Sequence, residues 1–89
     1  MFTLYILYSH ISKQIYVGQT QNLAIRLSQH GAGLVRSTKN KRPLLLIHQE
    51  MFSTRSEVMK REKFLKSLPG SKIKIQILKK FLADGSSKP

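Results

Sequence analysis

The chain has 89 residues, 16 lysines and arginines against 4 acids, a formal net charge of +12, and no cysteine. That length holds one domain with a modest core and no room for an independent second module, so any site must share residues with the fold. Disulfides, thiolate metal sites and a cysteine nucleophile are excluded. With no apolar run near the ~18 residues of a membrane span and no basic-then-apolar leader, a soluble cytoplasmic protein with no membrane partner is expected.

So strong a positive balance implies a polyanionic partner. Nucleic acid is expected over a membrane surface, because the bases are spread along the chain and include RSTKNKR, Arg36 to Arg42, which reads as a loop and not as a lipid-facing helix. Arg36, Lys39, Lys41 and Arg42 are the candidate phosphate contacts there, and Lys66 joins them from further along the chain. Solvation alone would explain one such cluster, but few acids stand nearby to balance it.

FTLYILY, Phe2 to Tyr8, is apolar at both alternating positions and predicts a strand buried on two sides. QIYVG, Gln14 to Gly18, is a second short strand, with SHISK between them as the turn. If Ser9 and Ser12 close that turn, Tyr5 and Tyr16 stand directly opposite one another, with Cβ atoms about 4.5 to 5.5 Å apart. Asn22 caps a helix predicted to run to about His30, where GAG stops it. PLLLIHQEMF then supplies a third strand from about Leu44 to Met51. Thr54 and Glu57 have capping-box spacing, so a second helix is predicted to start there and run to about Leu68, ended by Pro69 and Gly70. A third helix, about Lys72 to Leu82, carries Ile73, Ile77, Leu78, Phe81 and Leu82 on one stripe. The expected organisation is a single α+β domain over residues 1–82 and a flexible C-terminal tail, 83–89.

Three polar residues fall beside or within the apolar faces. On the first helix Leu23 and Leu27 define the buried direction, and Arg26 and His30 lie next to it in an i, i+4 row with Asn22. Either the Arg26 stem merely covers Leu27 while His30 ends the helix, or one ridge presents a guanidinium and an imidazole to a common cleft. On the second helix Val58, Met59 and Leu65 mark the apolar face, and Glu62 projects near its centre. A carboxylate there must be paired, hydrogen-bonded or metal-bound, because burying it alone is costly. An exposed pair with Lys66 at i+4 is the plain alternative. His10 is expected in the turn, His48 on the strand surface and Tyr8 in the core. Neither a phosphate-cradling glycine loop nor a serine-histidine-acid layout is visible.

TLY ending at Tyr5, YVG from Tyr16, NLAIRLSQH with Arg26 and His30, and MKREKFLKSL with Glu62 stand in one order along the chain. In that order they resemble the GIY-YIG nuclease domain, in a small stand-alone form similar to the nuclease module of the bacterial excision-repair endonuclease. The likeness covers about residues 2 to 82. It implies a three-stranded antiparallel sheet flanked by helices and a shallow site that hydrolyses a phosphodiester with one divalent ion, Mg²⁺ or Mn²⁺. It also implies Glu62 as the metal ligand, Tyr5 and Tyr16 around the attacking water and phosphate, Arg26 as a phosphate contact and His30 in support. Three positions depart from the pattern. Thr3 stands in place of the first glycine, Gly31 follows His30 where many relatives have asparagine, and no asparagine follows Asn40 although many relatives carry one near the metal.

The chemistry suits these residue types. A carboxylate-held cation polarises the scissile phosphate while Arg26 offsets charge on its oxygens. Cationic neighbours favour ionisation of a phenol, which makes Tyr16, with Tyr5 in second place, the candidate general base. The expected activity is therefore a metal-dependent endonuclease acting on DNA, with RNA also open, in repair or recombination. With no reader module beyond the fold, cutting is expected to be structure-selective or nonspecific. Two alternatives stand beside it: a non-catalytic nucleic-acid-binding protein that retains the fold, and an accessory that works only with a repair-complex partner protein.

Overall fold

A strand that is apolar on both faces belongs in the middle of a sheet, and the first strand occupies that place. The structure, a computed structural model, describes residues 1–86. In chain order it contains β1 (Phe2–Ser9), β2 (Gln14–Thr20), α1 (Leu23–Gly31), a short 3-10 turn (Lys39–Lys41), β3 (Leu44–Phe52), α2 (Arg55–Leu65) and α3 (Leu68–Ser86). The three strands form one antiparallel sheet, as the family resemblance implied, and they lie in the order β2-β1-β3. Central β1 is buried from Thr3 to Ser9.

Alternation along β1 divides the molecule. Leu4 and Ile6 face α2 and form the core with Val58 and Leu65, while Ile15, Val17, Ile47, Ile73 and Ile77 pack around them. Tyr5 and Leu7 point to the opposite face, where Leu7 and Leu46 of the sheet and Leu27 of α1 line a common cavity. Burying Leu4, Ile6, Leu65 and Val58 completely contributes about 1.5–3 kcal/mol for each side chain.

The hairpin register differs from the expected one. Ser9 pairs with Gln14, so the loop is the four residues His10–Lys13 and not two, and Lys13 takes the left-handed conformation at φ 57°. The Ser9 hydroxyl accepts the Ser12 N–H at 3.1 Å and donates to the Lys41 carbonyl at 2.7 Å, which stabilises the longer turn. Tyr5 consequently pairs with Gly18, and Tyr16 with Leu7. Because the slip is two residues, the two tyrosines keep the same face but stand diagonally.

Asn22 caps α1 through its side chain, which accepts the Ile25 N–H at 3.1 Å. Thr54 and Glu57 form the full capping box at the start of α2. The end of α2 is where expectation fails: the helix stops at Leu65, and Pro69 and Gly70 lie in the first turn of α3. Pro69 fits there because a first-turn residue has no intrahelical acceptor for an N–H. Ser67 acts as the cap, its hydroxyl accepting the Gly70 N–H at 3.4 Å and its carbonyl the Ser71 N–H at 3.0 Å. Gly70 is required by close packing, since a Cβ there would meet the Phe64 carbonyl oxygen and stand 2.6 Å from Leu65 Cα. Met59, expected on the apolar face, is exposed, and Val58 and Leu65 alone are buried on α2. The third helix continues to Ser86, past the expected boundary at residue 82, and the remainder of the expected tail, 87–89, lies outside the described residues.

Candidate active site

Tyr5 starts on the central strand, yet its hydroxyl works at the sheet edge. A Cβ at position 18 would stand 2.5 Å from Tyr5 Cζ and would collide with the phenol oxygen. The glycine of YVG therefore leaves the corridor through which the Tyr5 ring crosses over β2. Tyr5 is buried, and its oxygen meets two side chains from α1. Arg26 Nε donates to it at 3.2 Å, and His30 Nε2 lies 3.1 Å away.

Residues 26 and 30 are one helical turn apart, which brings both to the same ridge of α1. Of the two accounts of these residues, the common cleft holds. Arg26 also donates to Gln29 Oε1 at 3.1 Å. The His30 ring is buried edge-on to Tyr5, and its other nitrogen, Nδ1, lies 2.7 Å from the buried Thr38 hydroxyl. Burial first, and the Arg26 charge second, push His30 below its ordinary value of 6.5. A buried imidazole beside a guanidinium is thus neutral at pH 7.

These groups open onto a cleft of about 420 Å³ that wraps around β2. Tyr5, Tyr16, Gly18, Arg26 and His30 line it from one side, and Glu62, Lys66 and Lys74 from the helices. Glu62 is partly exposed, and the two ideas about it combine: it lines the cleft and also receives Lys66 Nζ at 3.1 Å. The Tyr16 hydroxyl donates to Gln14 Oε1 at 2.7 Å. Among the described residues no group of three or more His, Cys, Asp or Glu could hold a metal ion, so a cation in this cleft would find Glu62 as its carboxylate.

The basic loop is partly structural. Arg36 and Lys39 are exposed and Lys41 is half-buried. Arg42 donates to the Lys39 carbonyl at 2.9 Å and to the Gly31 carbonyl at 3.1 Å, which ties the loop to the end of α1. Gly33, at φ 78°, lets it approach, because a Cβ there would stand 2.9 Å from the Arg42 guanidinium carbon. Away from the cleft, Glu50 is gripped by Arg61 Nε at 2.9 Å and His48 Nε2 at 2.8 Å. Burial acts to raise the Glu50 pKa, but these hydrogen bonds and charges outweigh it and hold the carboxyl below its ordinary value.

Sequence reasoning missed Thr38, Lys74 and the task of Gly18. Thr38 sits in a loop with no periodicity to single it out. Lys74 is the polar residue that α3 brings to the cleft, and only the path of the helices past β2 places it there. For Gly18 the signal was present: an interior strand glycine marks a close approach.

A family model described as the GIY-YIG catalytic domain matches residues 1–74. The chain is also similar to a UPF0213 protein of Staphylococcus haemolyticus, 44% identical over 54 residues, covering 60% of this chain and 66% of that protein. A UPF0213 protein of Syntrophus aciditrophicus is 38% identical over 69 residues, covering 75% and 78% of the two chains. One from Staphylococcus aureus is 35% identical over 66 residues, covering 73% and 79%. No solved structure matches the chain.

Proposed function

The chain belongs to the GIY-YIG catalytic domain family, and from that premise we propose a divalent-metal-dependent endonuclease that hydrolyses phosphodiester bonds in DNA. One observation carries the proposal. The Tyr5 hydroxyl is held between Arg26 Nε and His30 Nε2, at the wall of a cleft that Glu62 also lines.

A hard divalent ion fits the donor set, because Mg²⁺ commonly binds through one or two carboxylates and substrate phosphates without an all-protein cage. Bound on Glu62, one Mg²⁺ or Mn²⁺ would supply positive charge to the scissile phosphate. Arg26 lies on the same cleft and stabilises charge that develops on the phosphate oxygens. As water attacks phosphorus, its proton passes to the Tyr5 oxygen while the Tyr5 proton moves to His30 Nε2. The new P–O bond forms, the bond to the departing oxygen breaks, and that oxygen takes its proton from solvent water.

Two hydrogen bonds support Tyr5 as the base over Tyr16, whose own hydroxyl donates to Gln14. Tyr16 borders the phosphate and packs against it. Arg36, Lys39, Lys41 and Lys66 contact neighbouring phosphates, and Arg42 chiefly shapes the loop that carries them. Phosphate contacts read no sequence, so cutting is structure-selective or nonspecific. Cytoplasmic repair or recombination is the setting that suits such a substrate.

Labelled duplex, single-strand, flap, splayed-fork and four-way-junction DNA, incubated with Mg²⁺ or Mn²⁺, should be cut by the parent chain. Glu62→Gln should lose cleavage and bind the same DNA at least as well. One observation favours a second reading, a nucleic-acid-binding protein without turnover: Lys66 already occupies Glu62. Failure of parent and variant alike to cut, with equal affinity for DNA, would put that reading first.

A further inference from the structure

Thr38 belongs to no recognised motif, yet it is 1% exposed in the middle of a strongly basic loop, with its hydroxyl against a buried imidazole. Its backbone is held in both directions. The Thr38 N–H donates to the Val35 carbonyl at 3.1 Å, and its carbonyl accepts the Lys41 N–H at 3.0 Å. The backbone that carries the hydroxyl is therefore held independently of His30.

A neutral imidazole has one donor nitrogen and one acceptor nitrogen, so each bond at one side of the ring dictates the other. Arg26 Nε–H is directed at the Tyr5 oxygen, which leaves the Tyr5 hydrogen to point at His30 Nε2. Nε2 is then the acceptor, and the ring hydrogen resides on Nδ1, 2.7 Å from Thr38 Oγ1. Thr38 Oγ1 in turn has the Val35 carbonyl oxygen at 3.5 Å to receive its own hydrogen. Donors and acceptors run in one direction from Arg26 to Val35. The opposite tautomer would turn Thr38 away from Val35 and aim a second hydrogen at the Tyr5 oxygen.

We propose that Thr38 is a positioning residue: its hydroxyl accepts the Nδ1–H of His30 and so presents the Nε2 lone pair to the Tyr5 hydroxyl. The catalytic consequence rests on the nuclease reading above, whereas the tautomer itself does not.

The test compares the parent chain with Thr38→Val, which is nearly the same shape without a hydroxyl, and with Thr38→Ser, which keeps one. Imidazole ¹⁵N shifts of His30 should report Nδ1–H in the parent and in Thr38→Ser, and a loss of that preference in Thr38→Val. On a DNA substrate with Mg²⁺, kcat of Thr38→Val should fall about 10- to 100-fold, by analogy with the loss seen when the outer partner of a metal-bound imidazole is removed. KM and DNA affinity should stay within about twofold, and Thr38→Ser should recover most of kcat, as expected when geometry and not binding is lost. A parent ring protonated on Nε2, or a Thr38→Val ring that keeps the parental tautomer, would overturn the proposal. If Thr38→Val fails to fold, the parent and Thr38→Ser spectra still decide it. An Nδ1–H parent that cuts no DNA would uphold the tautomer and count against the nuclease reading instead.

Discussion

Gly18 shows how a single missing side chain can place a functional group. Its contribution is space: the Tyr5 phenol lies where a Cβ would be. Gly18→Ala should therefore displace the ring, lowering cleavage by about 100-fold, as a misplacement near 1 Å does, and stability by about 1–3 kcal/mol. Cleavage kinetics and urea unfolding check both, and parental cleavage by the variant would remove Gly18 from the account. His30 sets a pH dependence at the same scale. Its folded pKa lies below the ordinary 6.5, so as acid is added the unfolded chain takes up the proton first. The stability linked to its neutral form is present above pH 6.5 and lost as pH falls through the folded value. Melting temperature should decline on acidification below pH 6.5, less steeply in His30→Asn, and the acid limb of cleavage should lie in the same window. The sequence pattern singled out Arg26, His30 and Glu62 because they sit beside or within apolar faces, but it left open whether they share a cleft, and only the family resemblance assigned them to a site. The pairing of Tyr5 with Tyr16 was not legible, because two-residue and four-residue turns leave the same strand alternation.

At the scale of elements, two of the three side-chain helix caps among the described residues were readable, and the Ser67 cap of α3 was not. Asn22 and the Thr54–Glu57 capping box mark helix starts that the structure retains. Pro69 and Gly70 were misread as a stop because the same two residues also suit the first turn of a new helix, and what distinguishes the cases is tertiary contact. The two kinds of feature differ in strength. Thr54→Ala should cost about 1 kcal/mol, the usual loss of an N-cap. Gly70→Ala should cost more, about 1–3 kcal/mol, because the new methyl meets backbone that has nowhere to rotate. Urea midpoints of the two variants, measured side by side, give the order. A Gly70→Ala chain as stable as Thr54→Ala would mean that the α2–α3 junction yields easily.

The described residues measure 37 × 29 × 23 Å, close to one turn of duplex at roughly 34–36 Å. Of the chain's net charge of +12, all but that of Lys88 is therefore concentrated over a length comparable to one helical turn of a duplex. If Arg36, Lys39, Lys41, Lys66 and Lys74 each neutralise one phosphate, log affinity against log salt should have a slope of roughly −4 to −5. Titration of labelled duplex from low to moderate salt measures it, and an affinity indifferent to salt would sink the phosphate-contact account. The order of strands and helices and the two-sided burial of the first strand were visible in the sequence, while the antiparallel sheet was what the family resemblance implied. The path of α2 and α3 past β2, which brings Lys66 and Lys74 to the cleft, was not visible, because it depends on packing between segments far apart in the chain.

The cleft lies along β2, the outer strand of the sheet, and the phenol of the middle strand comes out to meet it. β2 has a sheet neighbour on one side only, so the cleft along it is open at the edge of the sheet. A polymer can be laid across it broadside, with both of its arms running off into solvent, so contact can begin anywhere along its length. Broadside entry asks nothing of the polymer's termini. On the nuclease reading proposed above, the site of scission would then depend on how the backbone is bent or opened at that point, and not on how far it lies from an end.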